Sequence, residues 1–278
     1  MNYKLLPLFA VLVSLTIAET TSPRSAASEP GAGVTSAPAK TPDAAVTADT
    51  DLKSILASID KSMFPVTALA AMRMVDYKQN RQTGESVKNK TLEMELRTHE
   101  DNALIEMKAP AVDRGKFILK NNQGLWLFHS KIKRSIRISA RDDFNGTSAS
   151  NYDILEMKII RDYEVGAHTR ETVEGRELLK VQLSARPGTQ GYEKIVSWID
   201  PKEGIIVRNE CYAISGMLIK TISYQDYRVV DHYRVPMAIR IDSAIRKGSY
   251  STVEFTRIEA TSAVQEHIFS LGYLESLN

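Results

Sequence analysis

Apolar positions along this chain follow two periods. Leu52, Ile55, Leu56 and Ile59 recur at helical spacing behind the acidic Asp51, which predicts one amphipathic helix over 51–63, stopped at Phe64-Pro65. After Pro65 the period becomes two. Leu92, Met94 and Leu96 alternate with Glu93, Glu95 and Arg97. Leu179, Val181 and Leu183 alternate with Lys180, Gln182 and Ser184, and Val235, Met237, Ile239 and Ile241 with Pro236, Ala238, Arg240 and Asp242. Such alternation predicts strands with one wet face. Further strands are expected at 67–77, 102–109, 115–120, 124–129, 132–139, 193–200, 204–213, 217–227 and 249–259, separated by turn-like runs such as Asn121-Asn122-Gln123-Gly124 and Ser215-Gly216. Residues 141–165 break this rhythm with a polar stretch, a cap and a few apolar positions that fit a short helix. The end of the chain reads as a helical turn and a tail packing back on the body.

A sheet with one dry face must cover that face. One helix and one irregular insertion are thin cover for so many strands unless the sheet curls around its own interior. The predicted fold class is therefore mainly β with minor α, an open, incomplete antiparallel β-barrel of about eleven strands with a helical lid. Such a curl encloses either packed side chains or a small apolar ligand site. Within 124–139, Leu125 and Leu127 face one way and Trp126 and Phe128 the other, as in a strand covered on both sides. Ile132, Ile136 and Ile138 share a face with Arg134, while Lys133, Ser135 and Arg137 occupy the wet one. The cations thus alternate across a hairpin, as solvated strand faces or as a rim for anionic head groups or an acidic partner.

The N-terminus has the grammar of export. A short basic start precedes an apolar run from Leu5 to Ala18, and Thr16 and Ala18 are small residues ahead of Glu19, so 1–18 is expected to be a signal peptide. The run is interrupted by Pro7 and is short for a bilayer core of about 30 Å; an uncleaved anchor is the alternative. With no cysteine nearby to take a lipid, a periplasmic, unlipidated product is expected. Residues 19–50, rich in Ala, Thr, Ser, Pro and Gly, bury too little surface to offset their ordering entropy and read as a disordered linker. The folded domain is expected over 51–278.

Candidate chemistry is sparse. Lys and Arg number 36 against 34 Asp and Glu, a net charge of +2, so nothing calls for nucleic acid as a partner. The single cysteine, Cys211, excludes an internal disulfide and a Cys-rich metal site. His99, His129, His168, His232 and His267 show no metal-ligand spacing, Ile214-Ser215-Gly216 lacks the first glycine of a nucleophile elbow, and the paired Asp142-Asp143 reads as solvated loop. No catalytic residue, metal or cofactor is expected, and a hydrolase is the least favoured reading. Methionines at 63, 72, 74, 94, 107, 157, 217 and 237 suit a surface that adapts to apolar ligands, or ordinary core packing.

Four ordered blocks add to this: "APAVDRGKFILKNNQGLWLFHSKIKRSIRIS" (109–139), "IVSWIDPKEGIIVR" (195–208), "YQDYRVVDHYRVPMAIRI" (224–241) and "IEATSAVQEHIFS" (258–270). They carry Arg114-Gly115-Lys116 before a strand, a tryptophan strand running into a basic strand, Trp198-Ile199-Asp200 before a turn, and a Tyr/Val-Pro pair at 233–236. Together they resemble the bacterial outer-membrane lipoprotein-sorting protein family (LolA/LolB-like). The resemblance implies an open barrel whose apolar cavity holds acyl chains of lipids or lipoproteins in transit across the periplasm, without covalent chemistry, between an inner-membrane transporter and an outer-membrane acceptor. Cavity candidates on this reading are Met94, Leu96, Met107, Phe117, Trp126, Phe128, Trp198, Met237, Ile239 and Phe255, with Arg73 the candidate for the family's lid-gating arginine. His129 stands where the family often has proline. The alternative use of the same fold is an envelope sensor or interaction module that binds a protein partner.

Overall fold

The computed structural model describes residues 44–155 and 158–277, with side chains from Asp51 onward. The expected signal peptide, most of the expected linker and Met157 lie outside these residues. The helix predicted over 51–63 is α1 (Ala44–Ser62), which starts at Ala44 inside the segment read as linker. It ends ahead of Phe64-Pro65, where the residue before proline is pushed out of helical geometry. Leu52, Leu56 and Ile59 are at most 2% exposed, and burying each contributes roughly 1.5–3 kcal/mol.

Thirteen strands follow, all in one antiparallel sheet. They are β1 (Thr67–Gln79), β2 (Ser86–His99), β3 (Asn102–Ala109), β4 (Lys116–Asn121), β5 (Gly124–His129), β6 (Arg134–Arg137), β7 (Tyr163–Val173), β8 (Arg176–Ala185), β9 (Lys194–Asp200), β10 (Ile205–Tyr212), β11 (Leu218–Val230), β12 (Tyr233–Ser243) and β13 (Tyr250–Ala260). Their order in space is β6-β5-β4-β3-β2-β1-β13-β12-β11-β10-β9-β8-β7, so β6 and β7 are free edges and the sheet stays open. The count exceeds the expected eleven or so chiefly through β7, which lies in sequence the alternation did not mark. Past Tyr163 that strand has both faces wet, as an edge strand can, and so carries no apolar parity.

One face of the sheet, here called inner, carries the main core. Ala70, Met72 and Met74 of β1, Leu92, Met94 and Leu96 of β2, and Leu179, Val181 and Leu183 of β8 join Leu52, Leu56 and Ile59 of α1 in a single cluster. The insertion adds Phe144, Ala149, Tyr152, Ile159 and Tyr163 to it, through α2 (Asn151–Leu155) and α3 (Ile159–Asp162). Two carboxylates fix these pieces. Asp60 of α1 accepts the backbone N–H groups of Ile159 and Ile160 at 3.0 and 2.6 Å. Asp76, fully buried on β1, accepts from Ser148 N at 2.8 Å, Ser251 Oγ at 2.9 Å and Asn89 Nδ2 at 2.8 Å, so the insertion is tied to both central strands.

On the outer face, the C-terminal segment packs back over one end of the sheet. A 3-10 turn (Glu266–Phe269) and α4 (Leu271–Ser276) bring Phe269 and Leu274 against Leu104, Phe117, Leu119 and Phe128. The tail therefore covers the second face of β4 and β5, whose residues are apolar on both sides.

Candidate functional site

The cavity candidates divide between the two faces. Met94, Leu96 and Met107 are at most 6% exposed within the inner cluster, with Ile239 and Phe255 packed against it and Met237 on the same strand parity as Ile239. Phe117, Trp126 and Phe128 lie on the outer face against the C-terminal segment, the Phe117 and Phe128 rings 6.1 Å apart. Trp198 is also on the outer face, among Leu178, Val196 and Val207. The Arg208 guanidinium lies 4.0 Å from its ring centre, and its indole N–H donates to Glu171 at 2.9 Å. Arg73 is exposed, out of phase with the buried Met72 and Met74, and so points away from α1. Leu125 and Leu127 join the inner cluster, which separates them from Trp126 and Phe128 as the alternation predicts.

None of these residues lines the best-formed pocket. That pocket, about 490 Å³, opens where the insertion meets the β10–β11 turn and the β12–β13 loop. Tyr152, Tyr192 and Lys220 form its buried floor with Ile219, and Tyr212, Ile214 and Ile245 stand higher on the walls. The rim carries Arg246, paired with Asp143 at 3.1 Å, and Arg141, 3.6 Å from Glu193. Gly191 lies so close to the Tyr152 ring that any side chain there would overlap it, which explains a glycine at that point. A second hollow of about 940 Å³, beside the β4–β5 turn, is polar, with Glu100, Asp101, Lys120, Arg137 and Glu266 on its walls.

Beneath the pocket lies a connected polar network. The Lys220 ammonium sits 2.8 Å from Asp153 Oδ2, with the two side chains 8% and 0% exposed. The Tyr192 hydroxyl donates to Asp153 Oδ1 at 2.6 Å and Ser150 N to Oδ2 at 2.7 Å. Next to it the Tyr152 hydroxyl donates to Asp162 at 2.8 Å. Burial first, then Tyr163 and Asp162 beside Tyr152 and Asp153 beside Tyr192, pushes both phenols far above their ordinary range, so both stay protonated donors. Cys211 is fully buried; burial, reinforced by Asp153, pushes its thiol well up, and as a neutral thiol it is a poor nucleophile at neutral pH. Among the described residues there is no group of three or more His, Cys, Asp or Glu able to hold a metal ion. The chemistry on offer is apolar contact plus rim charge.

The reading from sequence missed this site because its parts come from loops and strands far apart in the chain. One signal was present. Lys220 shares the parity of the buried Ile222 and Tyr224, and a lysine in an inward register must find a buried partner.

Solved structures place the fold. A LolA superfamily protein from Nitrosomonas europaea superposes with a TM-score of 0.68 at 21% identity, over 80% of this chain and 98% of its own. A DUF1329 family protein from Desulfovibrio piger gives 0.67 at 18% identity, over 82% and 98%. A domain from Vibrio parahaemolyticus, described as outer membrane lipoprotein-sorting, gives 0.67 at 20% identity, over 81% and 97%. No curated protein matches the chain. Among the described residues no helix is long and apolar enough to cross a membrane. The model of a family described as "Uncharacterized protein" matches residues 99–276, well over half the chain. The protein belongs to that family, and its fold is that of the LolA superfamily.

Proposed function

We propose that this protein is an exported carrier that takes acyl chains of lipids or lipoproteins into an apolar site and passes them between envelope components without covalent chemistry. The observation that carries this reading is the pocket of about 490 Å³ with tyrosine and isoleucine walls, set on the inner face of a LolA-superfamily fold. Its size lies within the roughly 300–1,000 Å³ of small-molecule sites. Each methylene that leaves water there contributes about 0.8 kcal/mol, enough for a chain to be held and still be released. Arg141 and Arg246 can exchange their carboxylate partners for a phosphate or carboxylate head group, since exposed ion pairs of this kind contribute little.

In this reading Met94, Leu96, Met107, Met237, Ile239 and Phe255 extend the apolar surface of the same face, with α1 as its cover. Phe117, Trp126, Phe128 and Trp198 serve the fold. A signal at 1–18 and a linker from 19 to the start of α1 deliver the folded domain to the periplasm, where a membrane transporter supplies the lipid and an outer-membrane acceptor receives it.

Native mass spectrometry of protein purified without detergent, with extraction of what it holds, tests this. Bound lipid is expected, and Ile219→Trp, which fills the pocket, should lower its occupancy at least tenfold while circular dichroism stays unchanged, since several buried methylenes are at stake. A protein that is recovered empty and also fails to take up a fluorescent fatty acid would overturn the proposal.

A further inference from the structure

The β5–β6 hairpin at one edge of the sheet is basic through its turn and its edge strand. Between Lys116 and Arg141 the chain has no Asp or Glu, while Lys120, Lys131, Lys133, Arg134 and Arg137 fall within that interval. Lys131, Lys133, Arg134 and Arg137 are all exposed on the β5–β6 turn and on β6, which pairs only with β5. Several other cations on the sheet stand beside carboxylates: Arg97 and Lys108 with Glu95 and Glu106, Lys180 with Glu171, Arg234 with Glu203 and Arg240 with Asp242. Among the described residues, Lys131, Arg134 and Arg137 have no carboxylate within ion-pair distance. Two large apolar side chains sit among them, Ile132 at 61% exposure on the turn and Ile136 at 48% on the strand. Arg137 also lies over the Trp126 ring, 5.8 Å from its centre.

From this pattern we infer that the β5–β6 hairpin is a docking surface for an anionic phospholipid bilayer. Charge complementarity selects the occupant's sign, because Lys131, Arg134 and Arg137, without a carboxylate in reach among the described residues, repel one another and are relieved by an anionic surface. The exposed isoleucines select its kind. A bilayer interface offers negative head groups and, a few ångströms below, an apolar layer for Ile132 and Ile136; a soluble acidic chain satisfies the first demand only. None of these residues lines the pocket, although the β5–β6 turn stands at the same end of the sheet as the β10–β11 turn. Docking therefore stands or falls independently of the carrier reading, and adds to it the side of the molecule that meets the membrane.

Co-sedimentation of the full chain with vesicles decides the matter, comparing an equimolar mixture of phosphatidylcholine and phosphatidylglycerol with phosphatidylcholine alone. The readout is the excess of binding on the mixed vesicles, which cancels any contribution of the apolar run at 5–18. Each cation near an anionic surface contributes about fivefold, so Lys131→Glu/Arg134→Glu should lose more than tenfold of that excess. Ile132→Ser should lose several-fold on vesicles and leave binding to soluble polyglutamate unchanged. Lys78→Glu/Lys88→Glu, the same charge change at exposed positions on β1 and β2, should stay within twofold of the unaltered chain. An equal loss in that control, or no excess on the mixed vesicles, would overturn the inference; so would an Ile132→Ser variant that docks normally while polyglutamate competes, which would assign the hairpin to an acidic peptide. Ile219→Trp keeps vesicle docking whether or not acyl uptake is lost, so the two readings fail separately.

Discussion

The inner face is built in two ways. Toward β1–β3 its cluster is aliphatic and thioether, with Met72, Met74, Leu92, Met94 and Met107 joined by Leu52, Leu56 and Ile59 of α1. Toward β9–β11 the same face sets Tyr152, Tyr163, Tyr192 and Tyr224, the Lys220–Asp153 pair and the Cys211 thiol among Ile195, Ile199, Ile206 and Ile222. Apolar packing is non-directional and responds to volume, so one side chain substitutes for another of similar size. The polar network is different in kind. Each buried donor and acceptor needs its particular partner, and removing one leaves another stranded in a low-dielectric interior. The pocket opens on the polar half, where fixed partners hold walls apart that an aliphatic core would close.

This contrast is most exposed at Lys220. Lys220→Ala leaves the buried Asp153 carboxylate without its counter-charge and should cost about 3–5 kcal/mol, read from thermal or urea unfolding. In Lys220→Met/Asp153→Asn the charges leave together, the amide oxygen still accepts from Ser150 N and the amide N–H can donate to the Tyr192 hydroxyl, so most of that loss should return. A double variant as unstable as the single would mean the half is held by shape after all. In the aliphatic half, Leu56→Ala, at a fully buried position, should cost about 2–5 kcal/mol through its cavity, whereas Met107→Leu, equally buried, should cost less than about 1.5 kcal/mol. Urea midpoints for the two variants check whether volume alone governs there.

The smallest expected effect concerns a charge at the margin of the aliphatic half. Asp113 is buried, which by itself raises its carboxyl, but hydrogen bonds and charge from Lys116 and Lys90 outweigh that and hold it below the ordinary carboxylate range. A group depressed on folding stabilises the protein above its unfolded value and loses that contribution as pH falls through the folded one. Asp113→Asn should therefore be less stable than the unaltered chain at neutral pH, by an amount that shrinks as pH drops below about 4. Urea unfolding across pH would show the two curves converging.

Much of this fold is legible in alternation alone. Met94 and Leu96 share a parity that one buried face imposes, and the segments so marked each hold a strand. Parity fails where the physical condition for it fails: β7 has two wet faces, and β4 and β5 have two dry ones. For Phe117, Trp126 and Phe128, alternation separates the two sides of their strands without saying which side meets α1 and which the C-terminal tail. The pocket is less legible still. Arg141, Tyr152, Tyr192, Lys220 and Arg246 are brought together by loop conformation and long-range pairing, and of them only Lys220 breaks a local pattern.

The position of β1 beside β13 has a consequence for how the molecule is made. The first and last strands of the sheet are neighbours at its centre, Met74 opposite Val253 and Asp76 opposite Ser251, so the middle of the sheet is the last part that can close. A chain emerging from its N-terminus can assemble β1 to β6 as one half-sheet and β7 to β12 as another, each ending in an open strand edge of the sort that recruits other chains. Joining them requires a loop spanning nearly the whole domain, which makes folding slow relative to helical proteins of this size. The seat of Asp76, with one partner on the insertion and another on β13, is complete only then, so the arrival of the final strand fixes the sheet and the floor of the insertion in a single step.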